Sequence, residues 1–268
     1  LLENLKIAAN NFSLNTEVLL FPESNITAKV IFSKRDKPKK DSNFDYIKER
    51  VSNRKPYSDA KLSDTQRREL NKLCHGEGGV ELRMAEKKEE LRILGKVGGT
   101  NEEIMLQNKE LHNFFFSHIN WTKDEDDKKK IGFYIKTLEL PKSVEGLFKI
   151  IKHWKVIKAL NKIGFAKNVG KQNGVIYSSS AAMGAVILKD EKPESYIYAG
   201  ILLEKIWLTA TRLGLSMQPL TGILFMHLMI RNGESNRFSN SQIARIKAEY
   251  SKASNIFQTD NKNLALIF

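Results

Sequence analysis

The sequence predicts a layered α+β fold with one long helix in its core. Helical and strand patterns are mixed along the chain, without the regular strand–helix–strand alternation of α/β proteins. An unbroken apolar run at 182–188 indicates a buried strand. The segment from Glu194 to Leu215 is apolar on nearly every face, which places that helix in the deepest part of the core.

Apolar periodicity and capping signals define the elements in chain order. The clearest start signal is the capping-box pattern of Ser63 and Gln66, which opens a helix that reaches Cys74. A polar linker at 34–43 separates the N-terminal region from the rest. The predicted helices are 1–12, 45–51, 63–74, 86–96, 101–119, two within 144–165, 194–215, 221–231 and 241–253. The predicted strands are 16–21, 28–33, 80–85, 182–188 and 264–268.

The composition excludes several classes of protein. Hydrophobic residues make up 41% of the 268 residues and aromatic residues 9%, which is enough for a core and excludes wholesale disorder. The single cysteine, Cys74, excludes a disulfide framework and a multi-cysteine zinc site. No apolar run reaches the roughly 18 residues that a membrane span needs. We therefore expect a soluble, cytoplasmic protein without a membrane partner.

The net charge of +13, from 44 basic and 31 acidic residues, raises the question of nucleic-acid binding. Many lysines alternate with acidic residues, as at 123–130, a pattern typical of a solvated loop. The sequence has no zinc-finger spacing, basic-zipper heptad or aromatic RNA-binding signature. The charge pattern therefore disfavours a dedicated nucleic-acid-binding protein.

The chain also resembles itself. Residues 1–14 align with 202–215 at a constant offset, with Leu, Leu, Glu, Ala and Leu at equivalent places. Chance similarity between two amphipathic helices is the alternative. If the repeat is structural, 1–33 is the tail of a first unit and 44–268 is a second unit, which makes the protein an internal pseudo-dimer. The two repeated helices would then pack together, and the strand at 28–33 and the final strand would each complete the other unit's sheet. The sequence begins within a predicted helix and ends within a predicted strand, so we expect both ends to continue.

The first motif that could carry chemistry is Arg50, Ser52 and Arg54. These residues alternate along an extended segment and project to one side of it. Together they supply charge-assisted and hydroxyl hydrogen bonds suited to a phosphate or an electron-rich heterocycle. A basic loop without a ligand is the alternative interpretation.

The second motif follows the long apolar helix. Gly214 is a typical C-cap residue, and the chain passes through Gln218 and Pro219 into a new helix near Thr221. The free N–H groups at the start of that helix form a donor site for an electronegative atom. An ordinary helix–turn–helix connection is the alternative interpretation.

Together, the two motifs resemble the nitroreductase superfamily of flavin enzymes. In that family an Arg-x-Ser-x-Arg-like segment holds FMN, and a long helix with the Ala-Gly to Gly-Leu pattern seen from Ala199 to Leu215 forms the core. The string from Trp207 to Pro219 is most similar to the Acg-like branch and to nitroreductase domains linked to ubiquitin-activating modules. Acg-like proteins are tandem duplications, in line with the internal repeat. The resemblance covers about 44–268.

The resemblance implies a three-layer fold with a central mixed, largely antiparallel sheet. It implies an FMN-dependent oxidoreductase that transfers hydride from a reduced nicotinamide, NAD(P)H, to an unidentified acceptor. Self-association or a tandem nitroreductase-like half is the implied partner. The positions that match flavin-binding positions of the family are Arg50, Ser52, Arg54, Pro219, Leu220, Thr221 and Gly222.

In the family, the first three of these positions contact the FMN phosphate, ribityl chain or pyrimidine edge, and the last four line the isoalloxazine near N5. Arg54 is the candidate for stabilising the anionic reduced flavin. Two family features have no counterpart in the sequence: a phosphate-binding arginine after the final strand, and a Pro-Ser and Asn-rich flavin segment. The alternative function is therefore a non-catalytic flavin-binding or flavin-sequestering scaffold domain of the same fold.

No side chain is predicted to act as a catalytic acid, base or nucleophile. The flavin would carry the chemistry, so the redox step requires none. The five histidines lack metal-ligand spacing, and no metal site is expected. Cys74 has no recognisable partner histidine, and the serines at 178–180 lack a nucleophile-elbow pattern and are expected to lead into a strand.

Overall fold

Three antiparallel strands form the central sheet of the computed structural model, which describes residues 1–259 and 263–268. The middle strand, β6 (Met183–Leu188), pairs with β3 (Glu81–Ala85) on one side and with β7 (Asn263–Ile267) on the other. All six residues of β6 are buried. Its continuous apolar sequence fits this position, because both of its faces are covered. The predicted buried strand at 182–188 is confirmed.

Helices make up most of the remaining described structure, which confirms the α+β class. Among the described residues, none of the helices combines the length and apolar character that crossing a membrane requires. The α-helices are α1 (Leu2–Asn11), α2 (Asp64–Asn71), α3 (Lys88–Gln107), α4 (Lys109–Ser117), α5 (Lys123–Lys129), α6 (Lys142–Ile151), α7 (Trp154–Asn161), α8 (Phe165–Ser178), α9 (Pro193–Arg212), α10 (Gly222–Arg231) and α11 (Asn240–Ile256). The other strands are β1 (Leu14–Glu23), β2 (Ile26–Lys34), β4 (Ile119–Asn120) and β5 (Phe133–Tyr134).

Helix α9 is the predicted core helix, and its C-terminal half is buried. Ile206 and Leu208 have no exposed surface, and Trp207 is only 8% exposed. This half packs with residues of β3 and β6 in one apolar cluster. Near the N-terminal end, Tyr196 and Gly200 are exposed. The expectation of burial on nearly every face therefore holds for the second half of the helix and not for the first.

Helix α3 is continuous where the sequence pattern predicts an interruption between 96 and 101. The reason is a close crossing with α8, a helix that the pattern does not predict. A Cβ placed on Gly99 would lie 2.0 Å from the Gly170 carbonyl oxygen, and one on Gly95 would lie 2.5 Å from that of Gly174. The glycines therefore permit backbone contact between the helices. This packing outweighs a helix-propensity cost of about 1 kcal/mol per glycine.

Two local predictions differ from the structure. The charged segment at 123–130, expected to be a loop, forms helix α5, because the Thr122 hydroxyl accepts a hydrogen bond from the Glu125 N–H at 3.2 Å. The ion pair of Lys128 with Asp124, one turn apart, adds support at 2.7 Å. Conversely, the helix expected at 45–51 is a single 3₁₀ turn, Asp45–Ile47.

The N-terminal helix and hairpin are arranged only partly as the repeat predicts. Helix α1 packs against α9, with the Lys205 Nζ 3.8 Å from the Glu3 Oε2, and the repeated helices are in contact. Strands β1 and β2 form a two-stranded antiparallel sheet of their own. Among the described strands, β2 does not join β7 or its sheet, contrary to the expected completion of a sheet by 28–33.

Candidate functional site

The two sequence motifs lie side by side in the structure. Ser52 and Met217 form a parallel β-bridge, and the Asn53 N–H donates to the Met217 carbonyl at 2.9 Å. The segment after the 3₁₀ turn at 45–47 is thereby attached to the turn that follows α9. The fold has brought together two segments that are far apart in the sequence.

A cavity of about 540 Å³ opens beside this bridge. Its walls come from the loop after Ser52, the end of α8, the start of β6 and the turn after α9. Much of the wall is apolar, which suits a planar aromatic ligand. The apolar lining side chains are Pro56, Ala60, Leu62, Leu70, Met84, Ala181, Ala182, Met183, Ile206, Ala210, Leu215, Met217, Leu220 and Phe268.

Hydrogen bonds between distant elements hold the cavity walls in place. The predicted capping box is present at the start of α2, where Ser63 and Gln66 bond reciprocally. The Gln66 Nε2 also donates to the Leu213 carbonyl at 3.1 Å, which ties α2 to the end of α9. The Leu220 N–H donates to the Ile267 carbonyl at 2.7 Å. The turn after α9 is thus connected to both α2 and β7.

The two predicted arginines point away from the cavity. The Arg50 guanidinium lies 4.3 Å from the centre of the Trp207 ring, and its Nε is 3.2 Å from the Glu204 Oε1. The Arg54 Nη1 donates to the Thr137 carbonyl at 3.1 Å. Neither arginine is among the lining residues, and Ser52 contributes through its backbone bridge.

Of the four residues predicted near N5, Leu220 lines the cavity, and Pro219, Thr221 and Gly222 are not among its lining residues. Thr221 is the N-cap residue of α10, but its side chain makes no capping hydrogen bond. The Asn101 side chain lies against Gly222, where a Cβ would be 1.9 Å from the Asn101 Oδ1. The start of α10 is therefore packed closely onto α3.

Two tyrosines and a serine provide polar groups in the lining. The Tyr177 hydroxyl donates to the Glu102 Oε1 at 3.3 Å, and burial raises the pKa of both Tyr177 and Glu102. Burial also raises the pKa of Tyr57, and this effect outweighs a hydrogen bond with Asn53 that lowers the pKa. Both phenols are therefore neutral donors at physiological pH. The Ser180 Oγ is buried and has no hydrogen-bond partner among the described residues.

The cations on the cavity lining are lysines. Lys55 forms an exposed ion pair with Glu139 at 3.2 Å. Lys61 is exposed and forms no ion pair within 4 Å in the described part of the chain. Lys61 is therefore the cation best placed to meet an anionic group of a ligand at the rim. Residues 1–259 and 263–268 contain no group of three or more His, Cys, Asp or Glu side chains that could hold a metal ion.

The sequence pattern does not single out Lys61, Tyr177, Ser180 or Phe268 as site residues. Ser180 lies between the end of α8 and the start of β6, as the expectation that the serines lead into a strand requires, and it lines the cavity. A run of three serines immediately before an apolar strand is a signal that could have identified this wall. Tyr177 could not be identified in this way, because its position depends on the α3–α8 crossing.

Comparison of the chain with protein-family models gives no match, and comparison with curated proteins gives none either. The functional assignment therefore depends on the geometry of the cavity and on the two motifs.

Proposed function

We propose that the cavity binds FMN and that the protein is a cytoplasmic, FMN-dependent oxidoreductase of the nitroreductase type. One observation carries the proposal: both flavin-type motifs meet at the Ser52–Met217 bridge, beside a cavity of about 540 Å³ whose wall includes Met217. Cofactor pockets commonly measure roughly 300–1,000 Å³ and combine apolar walls with a few polar groups.

The lining residues fit the parts of FMN. Met183, Leu215 and Phe268 offer an apolar surface for the isoalloxazine ring. The unpartnered Ser180 Oγ supplies a hydrogen bond for a polar ring edge. Lys61 supplies a positive charge for the phosphate. FMN, when bound, supplies the redox chemistry, and the protein binds it, orients it and excludes water from one face.

A specific observation supports the alternative function, a non-catalytic flavin-binding scaffold. The flavin ring becomes anionic on reduction, so a redox flavin site benefits from a cation beside the ring. The candidate for that role, Arg54, is bonded to the Thr137 carbonyl and does not line the cavity. Reduction of bound FMN by NAD(P)H distinguishes the two functions: bleaching of the flavin spectrum supports the enzyme, and its absence supports the scaffold.

Titration of the purified protein with FMN, followed by flavin fluorescence, tests the site itself. Ala181→Trp fills the cavity and is expected to abolish binding, whereas Ala248→Trp on the exposed surface of α11 is the matched control. Lys61→Ala is expected to weaken binding about ten- to hundredfold through loss of a charge-assisted contact. Lys40→Ala in the exposed linker is its control.

The same titration tests the two arginines. The family resemblance predicts that Arg50→Ala and Arg54→Ala each weaken FMN binding by a similar factor without unfolding the protein. Unchanged titration curves for both variants would remove these arginines from the site and leave the cavity assignment intact. Tight binding by Ala181→Trp would contradict the cavity assignment.

A further inference from the structure

Much of the chain's positive charge is concentrated on one run of helices. Residues 142–172, which cover α6, α7 and the first half of α8, contain eight lysines, one glutamate and no arginine. This segment therefore carries +7 of the net charge of +13. All eight lysines are exposed, and we call them the lysine face: Lys142, Lys149, Lys152, Lys155, Lys158, Lys162, Lys167 and Lys171.

The lysines of this face form no ion pairs with the acidic side chains that the structure describes. Within the described part of the chain, none of its eight side chains has an acidic partner within 4 Å. The only acidic residue of the segment, Glu145, is paired with Lys136 at 2.7 Å. Helix α5 shows the contrasting arrangement, because Lys123 and Lys128 are both paired with aspartates of the same helix. The uncompensated charges repel one another, and an external anion would relieve that repulsion.

Aliphatic side chains are exposed among these lysines. Ile163 is 83% exposed, Val175 64% and Ile150 55%. On other sides the same helices pack into an apolar cluster, which buries Ile151 and Ile157. The outer surface therefore combines flexible cationic side chains with exposed aliphatic ones. Lysines extend their charged ends toward lipid headgroups while aliphatic side chains enter the acyl boundary, so this combination suits a lipid surface.

We propose that the lysine face binds a membrane surface rich in anionic phospholipid, with Ile163 entering the headgroup–acyl boundary. Recognition of nucleic acids commonly uses arginine and exposed aromatic rings that stack on bases. The segment has no arginine, and its aromatic residues Phe148, Trp154 and Phe165 pack into the cluster beneath the helices. Lysine, a compact point charge, suits the diffuse negative potential of a lipid surface. Such peripheral binding needs no spanning helix, so it agrees with the described helices, and it departs from the expectation of no membrane partner.

Sedimentation with lipid vesicles tests this proposal. The full chain is expected to sediment with vesicles of three parts phosphatidylcholine to one part phosphatidylserine, and not with pure phosphatidylcholine. The triple variant Lys155→Glu, Lys158→Glu, Lys162→Glu, on α7 and at its C-cap, is expected to bind about a hundredfold more weakly, because each lysine near such a surface contributes about fivefold to the affinity. The matched control is Lys37→Glu, Lys39→Glu, Lys40→Glu in the exposed linker, with the same change of net charge and retained binding.

The aliphatic contribution has its own pair of variants. Ile163→Ser is expected to weaken binding about tenfold, whereas Ile131→Ser, at a site that is 68% exposed outside the face, leaves it unchanged. Three results would overturn the proposal: equal binding to pure phosphatidylcholine, equal loss in both triple variants, or binding to duplex DNA or RNA without binding to anionic vesicles. The last result would assign the face to nucleic acid. All substituted side chains are exposed, so circular dichroism should confirm that each variant is folded.

Discussion

The crossing of α3 and α8 predicts a large and unusual effect of a single methyl group. In Gly99→Ala, the new Cβ would lie 2.0 Å from the Gly170 carbonyl oxygen, and this atom belongs to a helix backbone that cannot rotate away. Overpacking of this kind costs about 1–3 kcal/mol or more. The gain in helix propensity from glycine to alanine, about 1 kcal/mol, offsets only part of it. A separation of 2.0 Å is a severe overlap, so the upper end of the overpacking range applies, and we expect a net loss of about 2 kcal/mol in the free energy of unfolding.

Urea unfolding followed by circular dichroism measures this difference, with Gly146→Ala in α6 as the control. A Cβ at Gly146 meets nothing within 4 Å, so the same substitution there should stabilise the protein by about 0.5–1 kcal/mol. The two variants are therefore expected to change stability in opposite directions. If Gly99→Ala were at least as stable as the wild-type protein, that result would contradict a close backbone contact between α3 and α8.

Two further predictions concern the core. Trp207→Ala should lower the free energy of unfolding by about 3–5 kcal/mol, since the ring is 8% exposed and packs beneath Arg50; a loss below about 1 kcal/mol would contradict that packing. Glu103→Gln should cost about 1.5–3 kcal/mol at neutral pH, because the carboxylate accepts two hydrogen bonds from Arg245 at 2.7 and 2.8 Å. The Arg245 hydrogen bonds lower the pKa of Glu103, so this contribution is complete above the ordinary value of 4.5 and is lost as the pH falls through the lowered one. Urea unfolding over a pH series should therefore show the wild-type and Glu103→Gln proteins converging in acid, and a constant difference would refute the assignment.

The sequence predicts the parts of the fold that local signals determine. The strand at 182–188 follows from its apolar run, the start of α2 from the Ser63 capping box, and the core helix from its apolar faces. The continuity of α3 could not be predicted, because two adjacent glycines favour a break unless a second helix packs against them. That second helix, α8, also contains glycines and has a weak pattern of its own.

The candidate site shows the same division between local and long-range information. The family resemblance implies that both motifs contact one flavin, and the Ser52–Met217 bridge joins their two segments. The direction of the Arg50 side chain could not be predicted, because its two partners, Glu204 and Trp207, belong to α9, which is far away in the sequence. An alternating pattern indicates which side chains share a side of the segment, and it does not indicate which element faces that side.

Hydrogen–deuterium exchange with and without FMN measures whether the cavity is a flavin site. Bound FMN should slow exchange of the backbone amides at 53–62, 180–183 and 214–220, which supply much of the cavity wall. The β1–β2 hairpin, which contributes no residue to the cavity lining, serves as the internal reference and should exchange at an unchanged rate. Unchanged exchange in all three wall segments at saturating FMN, or slowing confined to other parts of the chain, would show that FMN does not bind in the cavity.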